Sequence, residues 1–167
     1  MRLGALLALA GALAVSAAPA RAEAPAVAPP ACTAAMAQMA IEGNHQFIDE
    51  IRATGALTTD QDVFDVFMVS KLVCHDLTGD GKADMAVMLD CCTKVSPTPF
   101  AIFRPDGMHW KLAYRSSTLL ISKMRRKGLT VRLKHPVYRR TDKACCPSSH
   151  TRWAVRWRTN RFVRKKL

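Results

Sequence analysis

The 167-residue sequence is short of several things, and each shortage excludes something. No apolar run reaches the ~18 to 20 residues of a membrane-spanning helix. There is no Cys-x-x-Cys, the spacing a dithiol redox centre uses. Gly-x-Ser-x-Gly and His-Glu-x-x-His are both missing, so neither a hydrolase nucleophile elbow nor a zinc-protease helix is written into the chain. Acids are scarce in one half: residues 107–167 hold Asp142 and no other acidic side chain. What is present is 25 Lys and Arg against 13 Asp and Glu, a formal charge of +12. Hydrophobic residues at 49% and charged residues at 23% argue for a globular chain rather than wholesale disorder.

The first 22 residues read as a secretory signal. Arg2 is the positive start, Leu3 to Val15 the apolar stretch, and Ala20-Arg21-Ala22 a small-x-small cleavage site. Cleavage after Ala22 places the product in the periplasm or the medium of a bacterium. Pro29-Pro30-Ala31-Cys32 lacks the Leu of a lipobox, so a soluble form is expected rather than a lipid anchor. Losing Arg2 and Arg21 lowers the charge from +12 to +10. That charge is divided. Residues 23–106 carry 5 basic and 12 acidic side chains, a net −7, whereas residues 107–167 carry 18 basic and 1 acidic, a net +17. Such asymmetry points to an interaction surface or to pairing of the two halves.

The Ala/Pro stretch 23–31 reads as a flexible arm ahead of one domain at 32–167. From Thr33 to about Thr54, apolar residues recur at three and four, with Thr33 as N-cap, a break at Gly43-Asn44 and a stop at Gly55. Thr58-Thr59-Asp60 starts one further helical turn. Beyond it the period changes to two. Strands are expected at Val66–Cys74, Ala83–Asp90, Pro99–Arg104, Met108–Arg115, Leu119–Ser122 and Leu129–Tyr138, then around Trp153–Trp157 and Phe162–Lys165. Pro105-Asp106-Gly107 is a hairpin turn. The expected fold is α+β, an N-terminal helical region packed on one antiparallel β-sheet of roughly six to eight strands, stapled by disulfides.

Asp76-Leu77-Thr78-Gly79-Asp80-Gly81-Lys82-Ala83-Asp84 is the sharpest local pattern. Asp76, Thr78 and Asp80 alternate, Gly81 permits a reversal, Lys82 offers its carbonyl and Asp84 returns a third carboxylate. Hard cations such as Ca²⁺ take six to eight oxygens, and this spacing supplies several. Position twelve of the loop is Val87, not the Glu of an EF-hand. The competing reading is a turn whose Asp side chains accept backbone N–H bonds. On Asp76, Asp80, Gly81 and Asp84, the stretch Val69 to Leu89 resembles the strand-loop-strand calcium unit of FG-GAP/VCBS repeats, which implies a Ca²⁺ site. Thr78 departs from the usual Asp or Asn. A single copy implies no propeller.

Six cysteines, Cys32, Cys74, Cys91, Cys92, Cys145 and Cys146, allow 15 connectivities, and ten once bridges between neighbours are removed. In an exported chain they read as disulfides, with one bridge favoured between the two adjacent pairs. Zinc ligation by Cys145, Cys146 and His150 lacks the two-residue gap of tetrahedral sites. Cys145-Cys146-Pro147-Ser148, Arg152 to Trp157 and Arg161-Phe162-Val163, with Tyr138 to Asp142 upstream, resemble the C-terminal part of the LppP/LprE-type bacterial lipoproteins. That resemblance implies an envelope location and a fold, and no defined activity.

His45, His75, His109, His135 and His150 fall in no catalytic pattern, and a non-enzymatic role is expected. Basic clusters are the better lead: Lys123, Arg125, Arg126 and Lys127, then Arg139 and Arg140, then Arg156, Arg158, Arg161 and the residues up to Lys166. For an exported protein they point to an anionic envelope surface or polymer, with nucleic acid set aside. The competing reading for these cations is a solvated outer face with the tryptophans in the core. The alternative function is an exported small hydrolase or an inhibitor of one.

Overall fold

The computed structural model describes residues 28–58, 60–90, 97–143 and 146–167. The signal read at 1–22, the first part of the arm, and Cys91, Cys92 and Cys145 lie outside them. Two short helices open the described chain, α1 (Ala34–Glu42) and α2 (His45–Ala53). Thr33 Oγ1 accepts the N–H of Met36 at 3.2 Å and Asn44 Oδ1 that of Phe47 at 3.1 Å. Each helix thus begins where a short polar side chain satisfies an N–H that has no intrahelical partner. The break expected at Gly43-Asn44 is formed. Gly55 follows α2 at φ +76°, and its N–H bonds Arg52 O at 2.9 Å. The further turn, α3 (Val63–Val66), starts later than Thr58 and is set by a capping box between Asp62 and Asp65.

Eight strands follow: β1 (Met68–His75), β2 (Asp84–Asp90), β3 (Phe100–Asp106), β4 (His109–Ser116), β5 (Lys123–Lys127), β6 (Thr130–Val137), β7 (Ser149–Arg158) and β8 (Arg161–Lys166). They form two four-stranded antiparallel sheets, β1-β2-β3-β4 and β5-β6-β7-β8, where a single sheet was expected. The chain is mostly β with a few helices. The division falls at Leu119–Ser122, which forms no strand. Its carbonyls and amides bond scattered partners instead of one ladder. Leu119 O accepts from Thr98 N at 2.7 Å, Leu120 O from His135 Nδ1 at 2.6 Å, and Ser122 N donates to Lys134 O at 2.9 Å. This lets the chain step from one sheet to the other while Leu119 and Ile121 stay buried.

Helices, first sheet and second sheet stack as three layers. Met85, Val87 and Leu89 of β2 and Ala101 and Phe103 of β3 pack toward the helices, against Ala37, Ile41, Phe47 and Ile51. Their sequence neighbours Ala86, Met88, Phe100 and Ile102 point the other way and meet Met124, Val131, Leu133, Val155 and Phe162. Strands β2 and β3 are therefore covered on both faces, which is why they read as unbroken apolar runs. A disulfide joins Cys32, just before α1, to Cys74 on β1. Cys146 is also disulfide-bonded. The bridge expected between the two cysteine pairs involves Cys91, Cys92 and Cys145, outside the described residues. Among the described residues no helix is long and apolar enough to cross a membrane.

Candidate polyanion interface

Directly opposed residues of an antiparallel sheet share a face, and sequence neighbours do not. In the second sheet the inward set is fixed by buried Met124, Val131, Leu133, Val155 and Phe162. Their register partners Arg126, Trp153, Trp157 and Arg164 lie on that same side. The alternate positions face outward. They carry Lys123, Arg125 and Lys127 from β5, Arg132 and Lys134 from β6, Arg152, Arg156 and Arg158 from β7, and Arg161 and Lys165 from β8. That is ten cations and no acid on one face.

Strand spacing of about 4.8 Å and a same-face repeat of about 6.7 Å turn these positions into a dense positive lattice. Arg125 pairs directly with Arg132, Lys123 with Lys134, Lys134 with Arg152, and Arg158 with Arg161. Like charges directly opposite destabilise a sheet. Among the described residues none of the ten joins an ion pair. Arg115, the one cation beyond residue 107 that does, meets Glu50 at 2.7 Å on another face. His150 stands on the outward side of β7, and its imidazole is held below its ordinary value, by burial first and then by the Lys134 charge. Among the described residues no acid of the N-terminal half is ion-paired with this face.

Six of the seven cations singled out from the sequence, Lys123, Arg125, Lys127, Arg156, Arg158 and Arg161, come together here. Arg126 does not. It lies on the inward side of β5, and its Nη1 reaches His75 Nε2 at 3.1 Å and Gly128 O at 3.3 Å. Lys165, from the third linear cluster, joins the six; Arg132, Lys134 and Arg152 complete the lattice and were missed. Their signal was the alternation itself, Val131-Arg132-Leu133-Lys134, which clusters counted along the chain overlook. Trp153 and Trp157 are absent from this face. Arg164 lies 4.8 Å over the Trp153 ring and Arg104 4.5 Å over Trp157, on the side toward the first sheet.

The acidic loop between β1 and β2 closes on itself. Asp76 Oδ1 accepts the N–H groups of Thr78, Gly79 and Asp80 at 3.1, 2.6 and 3.3 Å, and Oδ2 that of Gly81 at 2.8 Å. Burial pushes its carboxyl upward, but the four N–H donors outweigh this and hold it below the usual carboxylate range. Gly79 and Gly81, at φ +84° and +82°, make the curl possible. Thr78 Oγ1 sits 3.4 Å from Asp76 Oδ1. Asp80 Oδ1 accepts Lys82 N–H at 2.9 Å, and Oδ2 meets Arg104 Nη2 at 2.6 Å; the Lys82 bond first and Arg104 after it lower its pKa.

Asp84 is wholly buried, and burial raises its pKa. Its Oδ2 accepts Leu77 N–H at 2.7 Å, while Oδ1 has no hydrogen-bond donor and faces Arg104 Nε at 3.6 Å. A guanidinium thus stands where the two carboxylates would meet a cation. Among the described residues no three His, Cys, Asp or Glu side chains are grouped to hold a metal. Of the loop's carboxylate oxygens, Asp84 Oδ1 is the one met by an ion pair and by no hydrogen-bond donor.

Arg104 is therefore the keystone of this loop. Arg104→Met should cost about 1 to 3 kcal/mol at pH 7, since it strands the buried Asp84 charge and removes Asp80's partner. The sign with pH follows from the two shifts. Asp84, with its pKa raised, is relieved on protonation as acid is added. Asp80, with its pKa lowered, keeps its charge and its contribution near pH 4, so the narrowing comes from Asp84. Denaturant titrations at pH 7 and near pH 4 should then show the gap between parent and variant narrowing in acid; an equal gap at both would refute this role.

Of the histidines, His75 bonds Arg126 and His135 bonds Leu120 O, while His45, His109 and His150 are exposed. No protein-family model matches the chain, and neither does any curated protein or solved structure. The fold and this face define a class nonetheless: a mostly-β, two-sheet protein presenting one uniformly cationic sheet surface.

Proposed function

We propose that this is an exported, non-enzymatic binding protein of the bacterial envelope whose second sheet docks on an anionic surface or polymer. The observation that carries the reading is the outward lattice of ten unpaired cations. Four directly opposed like-charge pairs weaken the free fold, and an anionic partner relieves them. With no Phe, Tyr or Trp outward on the strands of the second sheet, base stacking lacks its strongest platforms, which supports a lipid headgroup or envelope polymer over a single-stranded nucleic acid. Co-sedimentation with phosphatidylglycerol vesicles tests the proposal. Binding should be strong at low salt and fall away at high salt; absence of binding at low salt would overturn it.

A second reading concerns the acidic loop. The Asp84 oxygen that has no hydrogen-bond donor favours Ca²⁺ binding there, with Asp76, Thr78, Asp80 and the Lys82 carbonyl as the other ligands and Arg104 moved aside. Ligand at a hundredfold above its Kd adds about 2.7 kcal/mol to stability. Thermal melts in millimolar Ca²⁺ should therefore rise by several degrees over melts in chelator, and coincident melts would contradict the reading.

A further inference from the structure

The edge strands of the two sheets, β1 and β5, border a cleft of about 580 Å³. Lys71 from the first sheet and Lys123, Arg125 and Arg126 from the second line it. Its floor is apolar: Val73, Met88 and Met124. No acidic side chain is among the residues that line it. This volume lies within the roughly 300 to 1,000 Å³ of small-molecule sites, more than an inorganic ion fills.

Arg126 is anchored through one end of its guanidinium. Both hydrogen-bonding contacts of its guanidinium, to His75 Nε2 and Gly128 O, use Nη1. Its Nε–H and Nη2 groups are left as a planar fork, the geometry that binds a phosphate through two parallel hydrogen bonds. Because β1 and β5 are edge strands, alternate backbone N–H groups of each also lack a partner within their own sheet. Cationic walls over an apolar floor match an anion that carries an apolar stem.

We infer that this cleft binds one phosphate group borne on an apolar stem, the phosphate held by Lys71 and the Arg126 fork and the stem laid on Met88 and Met124. The cleft borders the outward lattice at Lys123 and Arg125, but Lys71 and Arg126, the residues assigned to the phosphate, lie outside that lattice. Isothermal titration of the full chain with dihexanoylphosphatidylglycerol, below its aggregation threshold, tests it alongside inorganic phosphate. The short lipid should bind and inorganic phosphate should bind markedly more weakly. Lys71→Gln and Arg126→Gln, with unchanged melts, should each weaken the lipid about tenfold, the loss expected on removing a charged donor. Arg126→Lys, which keeps charge but not the fork, should also weaken it.

Removal of outward cations by Arg152→Gln and Lys165→Gln should leave short-lipid affinity unchanged while reducing vesicle binding, so failure of one proposal is separable from failure of the other. Equal affinity of inorganic phosphate and lipid would overturn the role of the floor. Unchanged lipid affinity in both cleft variants would overturn the site.

Discussion

Replacing Cys32 and Cys74 together by alanine should lower the unfolding free energy by about 4 kcal/mol. The bridge closes a loop with a sequence separation of 42, and the chain-entropy relation gives that figure for a loop of this length. Its location reinforces the arithmetic. Cys32 precedes α1 and Cys74 lies on β1, an edge strand, so the bridge fastens the helical layer to a border of the central sheet. Without it, the short helices α1 and α2, each 9 residues, hold by packing alone, since isolated helices of that length are marginal in water. The midpoint of thermal unfolding should fall by more than about 10 °C. Reduction of the parent protein, which also opens the Cys146 bridge, should lower the midpoint at least as far, and a double variant that melts with the parent would refute the staple.

The second large effect concerns the cationic sheet. Arg132→Gln, Arg152→Gln and Lys165→Gln combined remove three outward charges from three adjacent strands without touching the inward core. Binding to an anionic polymer at low salt should weaken by more than about a hundredfold, because each neutralised anion contact contributes through released counterions. Stability should move the other way. Arg125 loses its opposed charge at Arg132 and Lys134 its opposed charge at Arg152, so the variant should melt at or above the parent temperature. Lower stability with unchanged binding would mean that these side chains serve packing through their stems.

Local structure was legible where a local device sets it. Thr33 and Asn44 cap their helices, Gly55 ends the second, and Pro105-Asp106-Gly107 turns β3 into β4, with Gly107 at φ +61°. The division into two sheets was hidden, because the apolar run Leu119-Leu120-Ile121 reads like a short strand and only tertiary partners divert its hydrogen bonds. Strand β5 was hidden for the opposite reason: Lys-Met-Arg-Arg-Lys offers one buried residue in five. Met85 to Leu89 and Phe100 to Phe103, apolar at every position, already carried the sign of a sheet covered on both faces.

The basic site was half legible. Composition placed the charge in the C-terminal part, and linear clusters picked out Lys123, Arg125 and Lys127. Register alone joins them to Arg132, Lys134, Arg152 and Lys165, and turns Arg126 away. The acidic loop was legible as a turn of alternating Asp and Gly. That Arg104, twenty residues after Asp84, occupies its centre is a consequence of β3 pairing beside β2, with Met85 opposite Phe103.

The most direct measurement is the affinity of the full chain for long-chain polyphosphate as a function of salt, for the parent and for the Arg132→Gln/Arg152→Gln/Lys165→Gln variant. The logarithm of the association constant should fall linearly with the logarithm of salt concentration. Its slope should flatten in the variant by close to one for each cation removed, about three in all. Identical slopes for parent and variant would contradict the assignment of anion binding to the outward face of the second sheet.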